Sequence, residues 1–263
     1  MSPAQILGVI SPADAAALAL FVAAWIAYEP LLRLSAPDRP TLNANMMVIR
    51  GSWMGNMVRR ENRFMDSQLL GHALNSASFF ASSNLILIAA AAGALFGGES
   101  TFRSASSLIV LKTSSRLLFE AQLALVILAL ARGLLDFIWS IRQMNYCLAS
   151  IGAAPEATDP ESARAYGEAC RDLINPALSA FNAGVRGYYF ALAAAAWMFG
   201  PVAFATATLG AVTLLAWRQR RSRAARAIGT IRRLLETSHQ PKGPPTGPGE
   251  RRGNEPVGGG DQI

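Results

Sequence analysis

Arginine is the residue with the most chemistry to offer in this chain. Arg50, Arg60, Arg132 and Arg186 fall in or beside apolar stretches, in company with Glu61, Asp136, Asn75, Asn182 and Ser78. A guanidinium presents a rigid fork of donors that matches a carboxylate or a phosphate. Ionisable groups set within apolar helices turn toward a bundle interior or a partner charge. Brought to one level, these side chains line a polar cavity dominated by arginine and suited to an anion: a lipid headgroup, a phosphate or a small carboxylate. The competing reading is a hydrogen-bonded, ion-paired core that holds short helices together, with surplus arginine facing lipid phosphates.

Catalytic chemistry finds less support. The chain has no Ser-centred nucleophile elbow, no phosphate-binding glycine loop and no metal-ligand motif. His72 and His239 are its only histidines and Cys147 and Cys170 its only cysteines, too few for a zinc site or a disulfide framework. Both thiols are expected to be free. Glu61 and Asp66 form a carboxylate pair, but beside Arg59, Arg60 and Arg63 they read as salt-bridged surface groups. No catalytic residue, metal or cofactor is expected, and an enzyme is not the reading.

The elements that position these residues follow from composition and periodicity. Apolar residues make up 52% of the chain and charged ones only 16%, and the apolar ones fall in blocks. Those blocks approach the roughly 20 residues needed to cross a bilayer. The formal charge of +7 is almost all arginine and flanks the blocks. Positive-inside placement accounts for it better than nucleic acid, which is not an expected partner. The expectation is an all-α polytopic membrane helix bundle.

No Lys or Arg precedes Arg33. With neither a basic leader nor a clear cleavage site, the apolar run 13–28 reads as a first span with its N-terminus outside. Residues 37–40 form a turn. From Thr41 to Asp66 apolar residues recur at helical spacing, which predicts one amphipathic, interfacial or docked helix. Arg59, Asn62, Arg63 and Asp66 take its polar side, while Arg50, Arg60 and Glu61 fall within the apolar arc. A second span covers 69–96, with Gly71, Asn75, Ser78, Ser82, Ala89 and Gly93 on one stripe that predicts a close packing face. A third covers 117–139 and holds Glu120, Gln122 and the pair Arg132 and Asp136, four apart on one face; Arg116 and Glu120 offer a second pair. Asp159 caps a further helix, along which Asn175, Ser179, Asn182, Arg186 and Tyr189 make a polar stripe. The apolar block 185–217 is interrupted at Gly200-Pro201.

Charge decides how that block crosses. The first loop carries Arg33, Arg39, Arg50, Arg59, Arg60 and Arg63, and the segment after Trp217 is again arginine-rich. Both favour the cytoplasm, which requires two short spans in the block and about five in all. Residues 218–235 are a basic helix on the inner surface, attracted to anionic lipid. The Pro/Gly-rich stretch 239–263 has little to bury and is expected to be a disordered tail to a bundle spanning 1–238. In this topology the polar faces of three spans meet in the cytoplasmic half of the inner membrane.

Three groups of residues carry a family resemblance: Trp53-Met54 with Arg60-Glu61-Asn62-Arg63 and Ser78-Phe79-Phe80-Ala81-Ser82; Trp139 with Arg142-Gln143, Asn145-Tyr146-Cys147 and Ile151-Gly152; and Phe181-Asn182 with Gly184, Arg186 and Tyr188-Tyr189-Phe190. In this order they resemble the domain-of-unknown-function 599 family of multi-spanning membrane proteins, over about residues 15–225. The resemblance implies a helical membrane fold and supplies no activity. Two functions stay open. One is a small-solute or anion channel or transporter, in a homo-oligomer because five short helices enclose little space. The other is a non-transporting membrane scaffold that binds anionic lipid or a partner protein through Arg50, Arg59, Arg60, Arg63 and the basic tail.

Overall fold

The computed structural model describes residues 10–34, 40–107, 115–156 and 159–238; the expected turn at 37–39 and the tail 239–263 lie outside them. All regular structure among the described residues is helical: α1 (Pro12–Leu34), α2 (Leu42–Val58), α3 (Phe64–Phe96), α4 (Gly98–Ser106), α5 (Arg116–Gly152), α6 (Pro160–Ala195), a 3-10 turn (Ala196–Phe199), α7 (Pro201–Arg220) and α8 (Arg223–Ser238). Pro12–Leu32, Phe64–Phe96, Arg116–Gly152 and Pro201–Thr237 are long and apolar enough to cross a membrane. α6 is not one of these: Glu161, Arg164, Glu168, Arg171 and Asp172 crowd its first half, and Asn182 and Arg186 interrupt its second. Asp159 caps it as expected, accepting from the backbone of Ser162 at 2.8 Å. The caps on Thr41 and Ser115 start α2 and α5 in the same way, each accepting from the amide three residues on.

The helices run between two ends. At one, Trp197 donates its indole N–H to Asp14 at 2.7 Å, and Gln122 donates to the Trp197 carbonyl at 3.1 Å. These bonds tie the starts of α1 and α5 to the 3-10 turn. Gly200 then reverses the chain at φ 105°, a left-handed conformation that favours glycine. The block 185–217 is therefore two antiparallel helices. At the other end Asn43 donates its N–H to Gln219 at 3.4 Å, and Arg232 donates to Asn45 at 3.1 Å. The arginine-rich first loop and the arginine-rich segment after Trp217 thus share one end. Of the 37 residues of α5, about 20 suffice for a bilayer, so its remainder belongs to that end.

The two larger cores correspond to the two ends. Phe21, Phe190, Trp197 and Phe204 fill the first, with Trp197 stacked on Phe204 at 5.0 Å. Met54 and Met57 of α2, Leu70 of α3, Met144 of α5 and Ile174 of α6 fill the second, which also buries the free thiols Cys147 and Cys170.

The arginine-rich helix is shorter than its periodicity predicts. α2 stops at Val58, where the Arg59 and Arg60 amides fold back onto the carbonyls of Asn56 and Met57. Asn62 accepts from the Phe64 amide at 2.9 Å and starts α3. α2 and α3 are therefore a hairpin. Asp66, expected on the polar side, is wholly buried and accepts from Trp53 across the hairpin at 2.7 Å and from Arg60. Arg63 ties the turn to the end of α5 by donating to the carbonyls of Ala154 and Pro155.

α2 docks antiparallel on α6 through a ladder with a step of four residues. Asn43 donates to Ser179 at 3.3 Å; the Met47 carbonyl accepts from Asn175 at 3.4 Å; a Cβ on Gly51 would lie 2.9 Å from Arg171; a Cβ on Gly167 would lie 3.0 Å from the Gly55 Cα. One helix ridge runs along 43, 47, 51, 55 and the other along 179, 175, 171, 167, as in contacts between small residues four apart. α6 meets α5 equally closely, since a Cβ on Gly187 would lie 3.1 Å from the Gly133 Cα. Gly167→Ala should cost about 1–3 kcal/mol by overpacking against backbone. Gly55→Ala, whose Cβ meets nothing within 4 Å, should leave stability unchanged or raised. Thermal unfolding in detergent followed by circular dichroism checks the asymmetry, and equal losses would contradict the ladder.

Candidate functional site

α1, α5 and α6 enclose a cleft of about 140 Å³ that gathers five polar side chains: Tyr28 and Glu29 from α1, Arg132 and Asp136 from α5, and Arg186 from α6. Each arginine has a carboxylate. Arg132 pairs with Asp136 one turn along α5 at 3.2 Å, and Arg186 reaches across to Glu29 at 3.1 Å. The Arg186 guanidinium also lies 6.0 Å from the centre of the Tyr28 ring, within cation–π range. Tyr28 is 6% exposed, and its buried hydroxyl has no partner among the described residues. A buried hydroxyl left unpaired costs on the order of 1–3 kcal/mol, so the cleft holds an unused hydrogen-bonding group.

The backbone explains why these residues converge. Gly133 and Gly187 bring α5 and α6 together one residue from Arg132 and Arg186, so both arginines leave the same crossing. α1 closes the third side through Phe21 and Trp25, whose rings lie 5.8 and 6.2 Å from that of Phe190. Counted from the level of Asp14, Gln122 and Trp197, the four charged residues lie about 15–22 Å along their helices at 1.5 Å per residue. The cleft is open: the side chains of Arg132 and Glu29 are 58% and 47% exposed.

Of the candidate residues, Arg132, Asp136 and Arg186 line this cleft, each arginine with a carboxylate beside it. Tyr28 and Glu29 were not expected there. The signal was present, because a carboxylate near the end of an apolar run falls under the same rule that singled out Arg132 and Asp136. Asn182 lies elsewhere, donating to Asn43 at 3.5 Å. It belongs to the α2 ladder, as do Ser179 and Asn175.

The remaining candidates separate. Asn75 is exposed and Ser78 half-buried on α3, and the stripe they mark turns outward, with Gly71 and Gly93 facing open space. α3 instead buries Leu70, Ala77, Ala81 and Asn84, and Asn84 donates to the Leu130 carbonyl at 2.9 Å. Arg60 and Glu61 are exposed, because the helix that would have buried them ends before they are reached. Arg50 is buried as expected at 6% exposure, with two guanidinium nitrogens unpartnered among the described residues, and burial lowers its pKa to about 10. It stays protonated at neutral pH.

A larger groove of about 870 Å³ lies at the arginine-rich end between α2, α6 and α8. Most of its charges are already paired: Arg164 with Glu168 at 3.5 Å, Arg171 with Asp172 at 3.0 Å, and Glu236 with Arg232 at 2.8 Å. Size alone makes it prominent; the ionisable groups set within apolar helices are in the cleft.

Residues 16–224 match the family described as Protein of unknown function, DUF599. The match covers most of the chain, which therefore belongs to that family. No curated protein and no solved structure matches the chain.

The pair joining α1 to α6 generates a stability expectation. Arg186→Ala and Glu29→Ala should each lower the melting temperature in detergent, and the double variant should cost less than the sum. Coupling of about 1 kcal/mol is expected for a half-exposed pair. Strict additivity of the two losses would show that the ion pair contributes nothing.

Proposed function

We propose that this DUF599 member, whose family supplies no activity to borrow, carries a small oxyanion across the inner membrane through the cleft between α1, α5 and α6. The observation that supports the reading is that the four charged groups of the cleft are not sealed in a core. Arg132 and Glu29 remain open at a depth that falls within about 30 Å of hydrocarbon. A charge facing lipid there costs roughly 2.5–3.5 kcal/mol. A purely structural ion pair would be expected to be covered, whereas a solute path needs its charges accessible. Arg186 supplies the fork that recognises a carboxylate or comparable oxyanion, and the Tyr28 hydroxyl supplies a further donor. The oxyanion takes the place of the Glu29 carboxylate on Arg186.

The topology that fits this reading has five crossings: α1, α3, α5, the second half of α6, and α7. The N-terminus lies outside and the arginine-rich end in the cytoplasm. α2, the first half of α6 and α8 then stand at the inner surface, where α8 meets anionic lipid.

Purified protein in liposomes should take up radiolabelled lactate and nitrate above protein-free vesicles. Arg186→Ala should reduce uptake at least about tenfold, the loss of one charge-assisted contact of about 1.4 kcal/mol or more, with helicity retained. Absence of flux together with selectively copurified anionic lipid would overturn transport in favour of a lipid-binding scaffold. For the topology, Ser238→Cys reads cleanly because Cys147 and Cys170 are buried. It should label only after permeabilisation; labelling from outside would sink the five-span arrangement.

A further inference from the structure

We infer that Arg50 seats a phospholipid: the phosphate of an anionic lipid docks on its guanidinium in the headgroup layer at the arginine-rich end of the bundle. Among the described residues Arg50 is the one buried arginine, at 6% exposure. It is also the exception in how its charge is met. Arg60 has Asp66, Arg132 has Asp136 and Arg186 has Glu29. Nε and Nη1 of Arg50 are buried without a hydrogen-bond partner, and no carboxylate among the described residues pairs with it. The third nitrogen, Nη2, is not sealed in with them, which leaves a route to the charge from outside. A cation taken out of water without a partner is among the most costly features a fold can keep. A bound anion cancels that cost.

Helix packing sets the level at which this charge lies. Ser140 of α5 donates to the Ala177 carbonyl of α6 at 2.7 Å, so Gln143, three residues on, stands level with Ile174. The α2 ladder sets Gly51 against Arg171, so Arg50 stands level with Asp172, within a turn of Gln143. Asp172 itself is exposed and pairs with Arg171 at 3.0 Å. Met54, one turn on from Arg50, and Met144, next to Gln143, pack in the same core. Gln143 is also 6% exposed, and its side-chain nitrogen has no partner among the described residues. Two buried groups at one level therefore both offer donors, and both lack an acceptor.

Gln143 lies about 31 Å along α5 from Gln122 at 1.5 Å per residue. That is one hydrocarbon thickness, about 30 Å, from the far end of the bundle, and so the level of lipid phosphates. A phosphodiester has oxygens that match the guanidinium fork, and its single negative charge offsets that of Arg50. A zwitterionic lipid brings an ammonium as well, which neither the Arg50 guanidinium nor the Gln143 N–H2 can receive. A lipid with an uncharged hydroxyl headgroup, such as phosphatidylglycerol, leaves the phosphate charge free for Arg50. The site is separate from the cleft between α1, α5 and α6, so lipid bound here does not bear on flux through it.

The test uses the full chain, delipidated in detergent, with phosphatidylglycerol, phosphatidylcholine and glycerol 3-phosphate as probes. Phosphatidylglycerol should raise the melting temperature and be retained in native mass spectrometry in preference to phosphatidylcholine. Glycerol 3-phosphate at equal concentration should do neither. Arg50→Met keeps a long side chain and removes the charge. Without lipid it should melt at or above the wild-type temperature, because an uncompensated buried charge is gone. Its affinity for phosphatidylglycerol should fall at least about tenfold, the loss of one charge-assisted contact. Arg226→Met, at an exposed arginine of α8, should change that affinity far less. Absence of a preference for phosphatidylglycerol in the wild type, or equal retention by Arg50→Met, overturns the site. A response to glycerol 3-phosphate as large as the lipid's gives the charge to a soluble anion and overturns the lipid. Where Arg50→Met melts lower or does not fold, photoreactive phosphatidylglycerol on the wild type decides. Label on peptides containing Arg50 or Gln143 supports the site, and its absence from both overturns it.

Discussion

The close approach of α6 to its neighbours is the constraint on which the rest of this structure depends. α6 touches α2 where Gly167 meets Gly55 and α5 where Gly187 meets Gly133. Where α6 meets α5 within the apolar bundle, helices gain little from burying apolar side chains, because acyl chains are as apolar as leucine, and dispersion over closely opposed backbones and hydrogen bonds between helices must hold them. Where α6 meets α2, burial of Met54, Met57 and Ile174 adds to these. α6 has both: glycines where the contacts are tightest, and Asn175, Ser179, Asn182 and Arg186 reaching α2 and α1 between them.

That arrangement explains why the polar stripe of α6 serves two roles along its length. Near the arginine-rich end its amides and hydroxyl bond α2, and short side chains suffice because the backbones are close. Further along, α6 faces the longer gap to α1, and only an arginine spans it. The polar groups change from neutral amides to a charge as the helix spacing widens. An amide zipper is satisfied by its two partners. Across the wider gap Arg186 reaches Glu29 through one guanidinium nitrogen at 3.1 Å.

Much of this was legible in the sequence and some was not, for identifiable reasons. The stripe on α6, the Asp159 cap, the break at Gly200 and the common side of both arginine-rich regions follow from spacing, capping and charge. The partners of the stripe were not legible, since Asn43 and Asn182 are 139 residues apart and no local rule joins them. The end of α2 was hidden because Phe64 and Met65 continue its apolar period. Asn62, a turn former, carried the opposing signal and prevailed. The stripe on α3 misled because the small-residue rule names a face able to pack closely without saying that a neighbour is there. Ala77 and Ala81 are small as well, and Asn84 on their side has a carbonyl to bond.

The balance of charge in the cleft also bears on why the chain tolerates ionisable groups at such depth. An isolated arginine there would be costly, and an arginine paired within its own helix lowers that cost without constraining any other helix. Arg132 and Asp136 do only this. Arg186 and Glu29 lower the same cost while joining two helices, so their pairing energy is tied to the distance between α1 and α6. Any event that removes one of these two charges changes both the local electrostatics and the helix spacing. The other end of α1 is held independently by Asp14 and Trp197. The Glu29 end of α1 is held by that charge pair and by Arg220 of α7, which donates to the Leu32 carbonyl. The aromatic contact between α1 and α6 through Phe21, Trp25 and Phe190 extends from the core around Trp197 to the cleft, which Trp25 and Phe190 help to line.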